Sequence, residues 1–292
     1  MRRRLLAAVA FIALFTSGAL AQTTASGSDL GSTFGEEVPY IRTPQTVVDK
    51  LLDLAQVGPD DFLIDLGSGD GRIVITAAQK RGARGFGVEI DPQLVDASNA
   101  AARKAGVADR AQFFERDLFE ADIREASVLT LYLLPEVNLQ LRPRLLTQLR
   151  PGTRVVSHDW DMGEWQADAK VVLEGLTKSV MPVQASTVYL WIVPASVAGS
   201  WKLQIESATE SEDIEIEFAQ RFQVLTGIAN RRRARTLLQS AHLRGAEIRF
   251  AVIDETRRPA APLHFFGRVF GDTMEGSTSS GQRWRAKFLK PV

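Results

Sequence analysis

The chain has 292 residues, enough for two domains with sizeable cores, and its 45% hydrophobic and 24% charged content is ordinary for a soluble globular protein. The formal net charge is zero, and without Arg2, Arg3 and Arg4 the balance is 32 minus 35, or −3, which argues against a nucleic-acid partner. There is no cysteine, hence no disulfide and no lipid-anchoring thiol, so the fold must stand on its core alone.

At the N-terminus, Arg2–Arg4 form a positive region, Leu5–Phe15 an apolar run, and Ala19-Leu20-Ala21 a small-residue cleavage site before Gln22. A signal peptide over residues 1–21 and a periplasmic or secreted body are expected, with an uncleaved anchor as the alternative. A Ser/Thr/Gly-rich linker covers 22–36, and the first folded domain is placed at 37–196. The segment Val38-Pro39-Tyr40-Ile41-Arg42-Thr43-Pro44 leads into a helix with Thr43 as N-cap, Pro44 at N1, and Val47, Val48, Leu51, Leu52 and Leu54 on its apolar face. Tyr40 and Thr43 either cap and pack or form a lid over a ligand.

The organising stretch runs from Asp61 to Asp91. Phe62, Leu63, Ile64 and Leu66 form a short apolar run without alternation, as in a parallel strand buried on both faces. It ends in Gly67, Ser68, Gly69, Asp70 and Gly71; Ile73–Lys80 reads as a helix, and a second apolar run over Gly85–Ile90 closes on Glu89 and Asp91. Strand, glycine turn, helix and acid-tipped strand make half of a nucleoside-binding βαβ unit. Glycines there take φ > 0 and remove the Cβ atoms that would hold a ligand off the backbone. Glu89 can accept both ribose hydroxyls. A dinucleotide fingerprint would space its glycines G-x-G-x-x-G, whereas Gly67, Gly69 and Gly71 are evenly spaced, and Asp65 would repel a pyrophosphate but suits a ligand bearing an ammonium group.

After Asp91-Pro92 a helix is expected to about Ala105, ended by Gly106. Ala111–Phe114 is a third strand, followed by Asp117, which can bond an adenine amino group or serve as a surface turn residue. Val128–Leu133 is a fourth strand, ending in Tyr132-Leu133-Leu134-Pro135, where an acceptor should sit; Pro135 frees preceding carbonyls that can aim an amine. No obvious base is present, and Glu136 reads as a helix N-terminal acid. Thr153–Ser157 is a fifth strand leading to His158-Asp159-Trp160, with His158 weighed as structural over functional. Val171–Val183 looks irregular, and Thr187–Val193 is a further strand.

With these residues in place, the span from about Val38 to Pro194 resembles a bacterial class I S-adenosylmethionine-dependent methyltransferase family, related to the lysine methyltransferases of the ATP synthase c subunit and the ADP/ATP carrier. The matching pieces are Thr43-Pro44, Asp65-Leu66-Gly67-Ser68-Gly69-Asp70-Gly71-Arg72, Gly87-Val88-Glu89, Asp117-Leu118 and Tyr132-Leu133-Leu134-Pro135. The resemblance implies S-adenosylmethionine as cofactor, held by Tyr40, Thr43, Asp65, Gly67, Ser68, Gly69, Glu89, Ile90, Asp117 and Leu118, and a protein lysine arriving at Tyr132, Leu134 and Pro135. No metal site is expected. An exported nucleoside-binding or accessory module without turnover stands as the alternative, and a nicotinamide oxidoreductase is disfavoured by the glycine spacing.

From Gly199 the pattern changes to period two: Trp201, Leu203 and Ile205, then Ile214, Ile216 and Phe218, alternate with polar residues. Turns assigned to Gly227, Arg244-Gly245, Gly271-Asp272 and Gly276 space seven or eight strands. The expected fold class is therefore α/β, a doubly wound Rossmann-like sheet followed at 199–292 by a small antiparallel β-barrel or sandwich. Arg231–Arg233 and Arg235 read as a solvated hairpin tip, with a patch for an anionic partner as the alternative.

Overall fold

A computed structural model describes residues 41–178, 181–206, 211–231, 234–254 and 260–291; the expected leader, the linker and Tyr40 lie outside them. The first half runs α1 (Gln45–Leu54), β1 (Phe62–Leu66), α2 (Arg72–Thr76, continuing as a π turn over Ala77–Arg81), β2 (Arg84–Glu89), α3 (Pro92–Lys104) and β3 (Ala111–Glu115). It continues through β4 (Val128–Leu131), α4 (Pro135–Gln148), β5 (Arg154–His158), β6 (Ala169–Lys178) and β7 (Met181–Ile192). These strands form one seven-stranded sheet in the order β3-β2-β1-β4-β5-β7-β6. The first five are mutually parallel, and β7 runs against both β5 and β6. The chain order reverses between β1 and β4, where an open α/β sheet leaves its crevice.

Both faces of this sheet are covered, as the unbroken apolar strand runs require. Leu63, Val128, Val156 and Val188 pack with Val47, Val48, Leu51 and Leu52 of α1 and Val74 of α2. Ile64, Leu66, Leu129, Leu131 and Val155 pack on the other side with Leu141 and Leu145 of α4 and with Met162 and Trp165. The alternation of side chains along each strand therefore sorts the core into two layers.

Three local expectations are corrected. Thr43 does not cap α1: Pro44 occupies the cap position with extended backbone (φ −57°, ψ 144°) and no side-chain cap bond, because the Thr43 hydroxyl turns to His158 instead. The fourth strand stops at Leu131, since the helix that follows begins directly at Pro135. The stretch Val171–Val183, expected to be irregular, lies in the paired strands β6 and β7 apart from residues 179 and 180, which lie outside the described residues; Gly175 (φ 76°) lies where the register shifts between Leu173 and Leu176, so this glycine marks a bulge in an edge strand.

The second sheet comprises β8 (Gly199–Ile205), β9 (Glu212–Arg221), β10 (Val224–Arg231), β11 (Ala234–Leu237), β12 (Gln239–Arg244), β13 (Glu247–Asp254), β14 (Ala261–Phe270), β15 (Thr273–Thr278) and β16 (Arg283–Lys290). Apart from β11, each strand pairs antiparallel with its successor, β16 returns to β8, and β11 and β12 lie on the same side of β10 as one interrupted strand. The result is a closed eight-stranded meander barrel rather than a sandwich, and closure leaves no open sheet edge. Its interior is filled by rings: Phe250 and Phe265 stack with centroids 4.8 Å apart, and Trp284 meets them edge-on at 6.0 and 5.9 Å.

Gly227 and Gly276, expected at turns, lie inside β10 and β15; a Cβ there would come within 2.1 Å of the Glu217 carbonyl and 1.9 Å of the Phe266 carbonyl, so these glycines permit close backbone approach. Gly245 and Gly271 do sit at turns. Arg231, in the basic stretch, is ion-paired with Glu212 across the β9–β10 ladder at 2.6–2.7 Å, while Arg232 and Arg233 lie outside the described residues. The barrel joins the first sheet at its amino-terminal edge: Ala195 N–H donates to the Gly245 carbonyl (2.8 Å), Gln223 donates to the Gln166 carbonyl (2.7 Å), and Trp165 stacks on Phe222 at 6.1 Å. That leaves the carboxyl ends of the parallel strands on the opposite edge.

Candidate active site

On the α1 face of the sheet, the apolar row Leu63, Val128, Val156 and Val188 is followed, one step nearer the carboxyl ends, by Asp65, Thr130, His158 and Ser186. All four polar residues are 0–1% exposed. The core stops there and chemistry begins, since buried polar groups at strand tips must be bonded to each other or to a ligand.

Asp65 shows which. Its Oδ1 accepts from the Thr130 hydroxyl at 2.6 Å, a pairing set by the register of β1 on β4, while its Oδ2 is buried without a partner. Burial, with further contributions from the Glu89 and Asp70 carboxylates, pushes the Asp65 carboxyl up to about 7. A buried carboxyl with one oxygen open is stabilised by an incoming ammonium group. Beside it the Ser68 hydroxyl is also buried and unpartnered.

The glycine turn is built as the spacing predicts. Gly67, Gly69 and Gly71 have φ of 77°, 53° and 76°, and the Gly67 and Ser68 N–H groups both donate to the Val88 carbonyl at 2.9 Å. A Cβ on Gly67 would fall 2.8 Å from Leu133 Cδ2, so the turn and the segment after β4 touch; one on Gly71 would fall 2.6 Å from Phe113 Cζ. Arg72 fixes the turn from outside, bonding Asp70 at 2.8 Å and the Thr43 carbonyl at 2.7 Å, which ties the segment before α1 to the glycine loop. Ser98, fully buried on α3, donates to the Gly69 carbonyl at 2.9 Å.

Glu89 stands at the tip of β2, its Oε2 accepting from Gly69 N–H (2.9 Å) and its Oε1 from Ile90 and Asp91 N–H (2.8 and 3.2 Å). These bonds hold it oriented, and Oε2, which accepts one of them, keeps a lone pair for a hydroxyl. Ile90 is 72% exposed immediately beyond it. Arg116 N–H donates to the Glu89 carbonyl at 3.0 Å, which brings Asp117 and Leu118 beside that tip. Asp117 Oδ1 accepts from Phe119 N–H at 2.8 Å, so this residue shapes its turn whatever else it bonds.

Opposite lies the segment expected to receive the acceptor. Leu134 is the cap of α4, and its carbonyl accepts from Val137 and Asn138 N–H at 3.1 Å. The carbonyls available to aim an amine are therefore those of Tyr132 and Leu133, between strand and helix, rather than that of Leu134. Tyr132 lies on His158 with ring centroids 3.9 Å apart, and burial, with the Asp159 carboxylate, raises its phenol above the usual range. His158 is fully buried, with Nδ1 3.3 Å from the Thr43 hydroxyl and Nε2 3.1 Å from the Ser186 hydroxyl. Glu136 lies in the first turn of α4, exposed, as a helix N-terminal acid does.

Sequence reading missed Thr130 and Ser98 as partners of the turn. Both carried a signal: each is a small polar residue at a position whose strand or helix neighbours, Val128 and Val95 with Ala102, face inward.

The donor's fit follows from these groups. Asp65 Oδ2 and Ser68 Oγ are orphaned polar atoms sized for an amino-acid end, the Gly67–Gly71 turn admits backbone contact, and Glu89 faces where a ribose would lie. Asp65, Gly67, Ser68, Gly69, Glu89, Ile90, Asp117 and Leu118 would hold S-adenosylmethionine there, which when bound supplies an electrophilic methyl group on a sulfonium.

A sequence model of the ANTKMT methyltransferase domain matches residues 65–169, from Asp65 to the start of β6 and short of the barrel. A protein-lysine N-methyltransferase of Saccharolobus islandicus is 41% identical over 157 residues, 53% of this chain and 94% of that protein. The adenine nucleotide translocase lysine N-methyltransferase of Mus musculus is 34% identical over 139 residues, 48% of this chain and 60% of that one. Among solved structures, an RNA methyltransferase from Salinibacter ruber in complex with S-adenosyl-L-homocysteine is 56% identical, covers 53% of this chain and 95% of its own, and gives a TM-score of 0.49. Kinship that the sheet order alone leaves open is decided by the Saccharolobus relative, matched across nearly its whole length: this chain belongs to the ANTKMT family of methyltransferases, enzymes that depend on S-adenosylmethionine.

Proposed function

We propose that this methyltransferase acts on the ε-amine of a lysine in a protein. The observation that carries the reading is the 41% identity to the Saccharolobus protein-lysine N-methyltransferase over 94% of that protein, and a translocase lysine methyltransferase of mouse is a further relative. The site is suited to the task. Methyl transfer is an in-line displacement in which the amine lone pair forms the new C–N bond as the sulfonium C–S bond breaks, so alignment and prior loss of the ammonium proton matter more than a strong base. The carbonyls of Tyr132 and Leu133 accept from the amine N–H and hold its lone pair toward the cleft; the displaced proton passes to solvent. Tyr132, whose ring lies on that of His158, is held in place beside those carbonyls.

The test is transfer from methyl-labelled S-adenosylmethionine to cell extract, followed by mass spectrometry of the labelled peptides. Methyl groups on lysine are expected. Label on RNA, on carboxylates or on arginine overturns the lysine reading and leaves the methyltransferase assignment in place.

We also infer export, on the strength of Arg2–Arg4, Leu5–Phe15 and Ala19–Ala21 alone. N-terminal sequencing of protein recovered from the periplasmic fraction should begin at Gln22; an intact Met1 in the cytoplasm contradicts it. Among the described residues no helix is long and apolar enough to cross a membrane.

A further inference from the structure

The chain has five tryptophans, and Trp165, Trp191, Trp201 and Trp284 are 0–1% exposed, each inside a core. Trp160 is 41% exposed and stands just past the carboxyl end of β5. An indole left in water normally signals either a flexible tail or a contact surface, and this one is not flexible. Trp160 N–H closes a three-residue turn onto the His158 carbonyl at 2.8 Å, with Asp159 at its centre in the left-handed region (φ 63°). Asp159 is pinned on both sides to Thr187, by its own N–H (2.7 Å) and by its Oδ1 (3.0 Å). The Trp160 carbonyl accepts from Asn138, fully buried one turn into α4.

A non-glycine residue in this backbone region costs free energy of order 1–3 kcal/mol and persists only where its surroundings impose it. Here the surroundings spend bonds from β7, β5 and α4 to present one side chain at the acceptor end of the site. The neighbours fit a single chemistry. Leu134 and Leu139 of α4 are 38% and 42% exposed, Leu139 Cδ2 lying 3.0 Å from where a Cβ on Gly163 would be. Glu136, in the first turn of α4, and Asp161, the residue after Trp160, are both exposed carboxylates. An aromatic face, with aliphatic side chains and negative charge on the adjoining segments, suits an acceptor with a four-carbon apolar stem and a cationic head.

We propose that Trp160 is a specificity-determining residue of the acceptor subsite, its indole receiving the methylene stem and ammonium of the incoming lysine before the proton is lost, with Glu136 and Asp161 attracting a cationic side chain to the cleft. This rests on the lysine reading above. The Asp159 turn and its anchor Asn138 are positioning elements for that indole.

The experiment uses the full chain saturated with S-adenosylhomocysteine and titrated with N-α-acetyl-L-lysine methylamide, following the indole Nε1–H resonance that disappears in Trp160→Phe. The resonance should move on titration, and it should move far less with the norleucine analogue, which has the stem without the charge. In methyl transfer to the same amide, Trp160→Ala should raise KM about fivefold to tenfold with kcat little changed, and Trp160→Phe should recover most of the loss. S-adenosylhomocysteine affinity should be the same in all three proteins, which also certifies their folding. An unmoved indole resonance, or an unchanged KM in Trp160→Ala, overturns the subsite. If extract labelling places no methyl on lysine while S-adenosylhomocysteine still binds, it is the lysine reading that fails.

Discussion

Two aspartates on one strand, Asp61 at the entry of β1 and Asp65 near its tip, live under opposite conditions. Asp61 is fully answered: Oδ1 accepts from the Ser127 hydroxyl at 2.7 Å and from the Arg154 guanidinium, and Oδ2 from Gly58 N–H at 2.9 Å. Burial alone would raise its pKa, but those three donors outweigh burial and hold it below the ordinary carboxylate range. Asp65 has one hydroxyl, two carboxylate neighbours and an unbonded oxygen, and burial there wins. A saturated carboxylate belongs to the framework, whereas one left short of partners at the crevice end of the same strand is kept for a ligand. The fold bears a local cost at Asp65 that ligand binding relieves.

That contrast can be broken at either end, and the largest effect should come from the framework. Asp61→Ala leaves the Arg154 guanidinium, 24% exposed, with the Ala55 and Gln56 carbonyls but no carboxylate, and should destabilise the protein by about 3 kcal/mol in denaturant unfolding while leaving donor affinity of the folded fraction unchanged. Asp65→Ala should do the reverse, weakening S-adenosylhomocysteine binding by roughly 1–3 kcal/mol in calorimetry with little loss of stability.

Stability against pH sharpens the comparison. Asp65 has its carboxyl raised from 3.8 to about 7 in the folded state, so the fold binds its proton more tightly than the unfolded chain does. Its contribution is then most favourable below about 4 and is lost as pH rises through about 7, at on the order of 1.4 kcal/mol for each unit of the shift. Subtracting the Asp65→Asn unfolding curve from wild type should isolate this decline in the absence of ligand; a flat difference between pH 4 and 8 contradicts it. Thr130→Val removes the one bond Asp65 has and should weaken donor binding by about 1 kcal/mol. An effect of the same size is expected from Ser98→Ala, which frees the Gly69 carbonyl and should cost about 1 kcal/mol of stability, read as a shift in the denaturant midpoint.

How far this site was legible in sequence follows from the range of the forces involved. The βαβ unit around Asp65–Glu89 was readable because its glycines, apolar runs and closing acid are local and fix the backbone within a few residues. The barrel's period-two strands were readable for the same reason. Thr130 was not, because its role comes from the β1–β4 register, sixty-five positions from Asp65. Thr43 looked like a helix cap by local rules and became a partner of His158 through a contact 115 positions away. The β6–β7 pairing was hidden because the stretch is polar and the bulge at Gly175 breaks its alternation, which an edge strand such as β6 tolerates. Glycines misled in the barrel too: Gly227 and Gly276 are demanded by neighbouring backbone, a fact visible only once the strands are laid side by side.

The central claim is that Asp65 is kept short of partners in order to meet the donor's ammonium group. The direct measurement is calorimetric titration of S-adenosylhomocysteine into wild type and Asp65→Asn below pH 7, in two buffers of different ionisation enthalpy. Wild type should release a proton as it binds, because the ammonium draws the Asp65 carboxyl to its ionised form, and Asp65→Asn should bind more weakly and release none. Equal affinity in the two proteins, with the same proton count, contradicts the account.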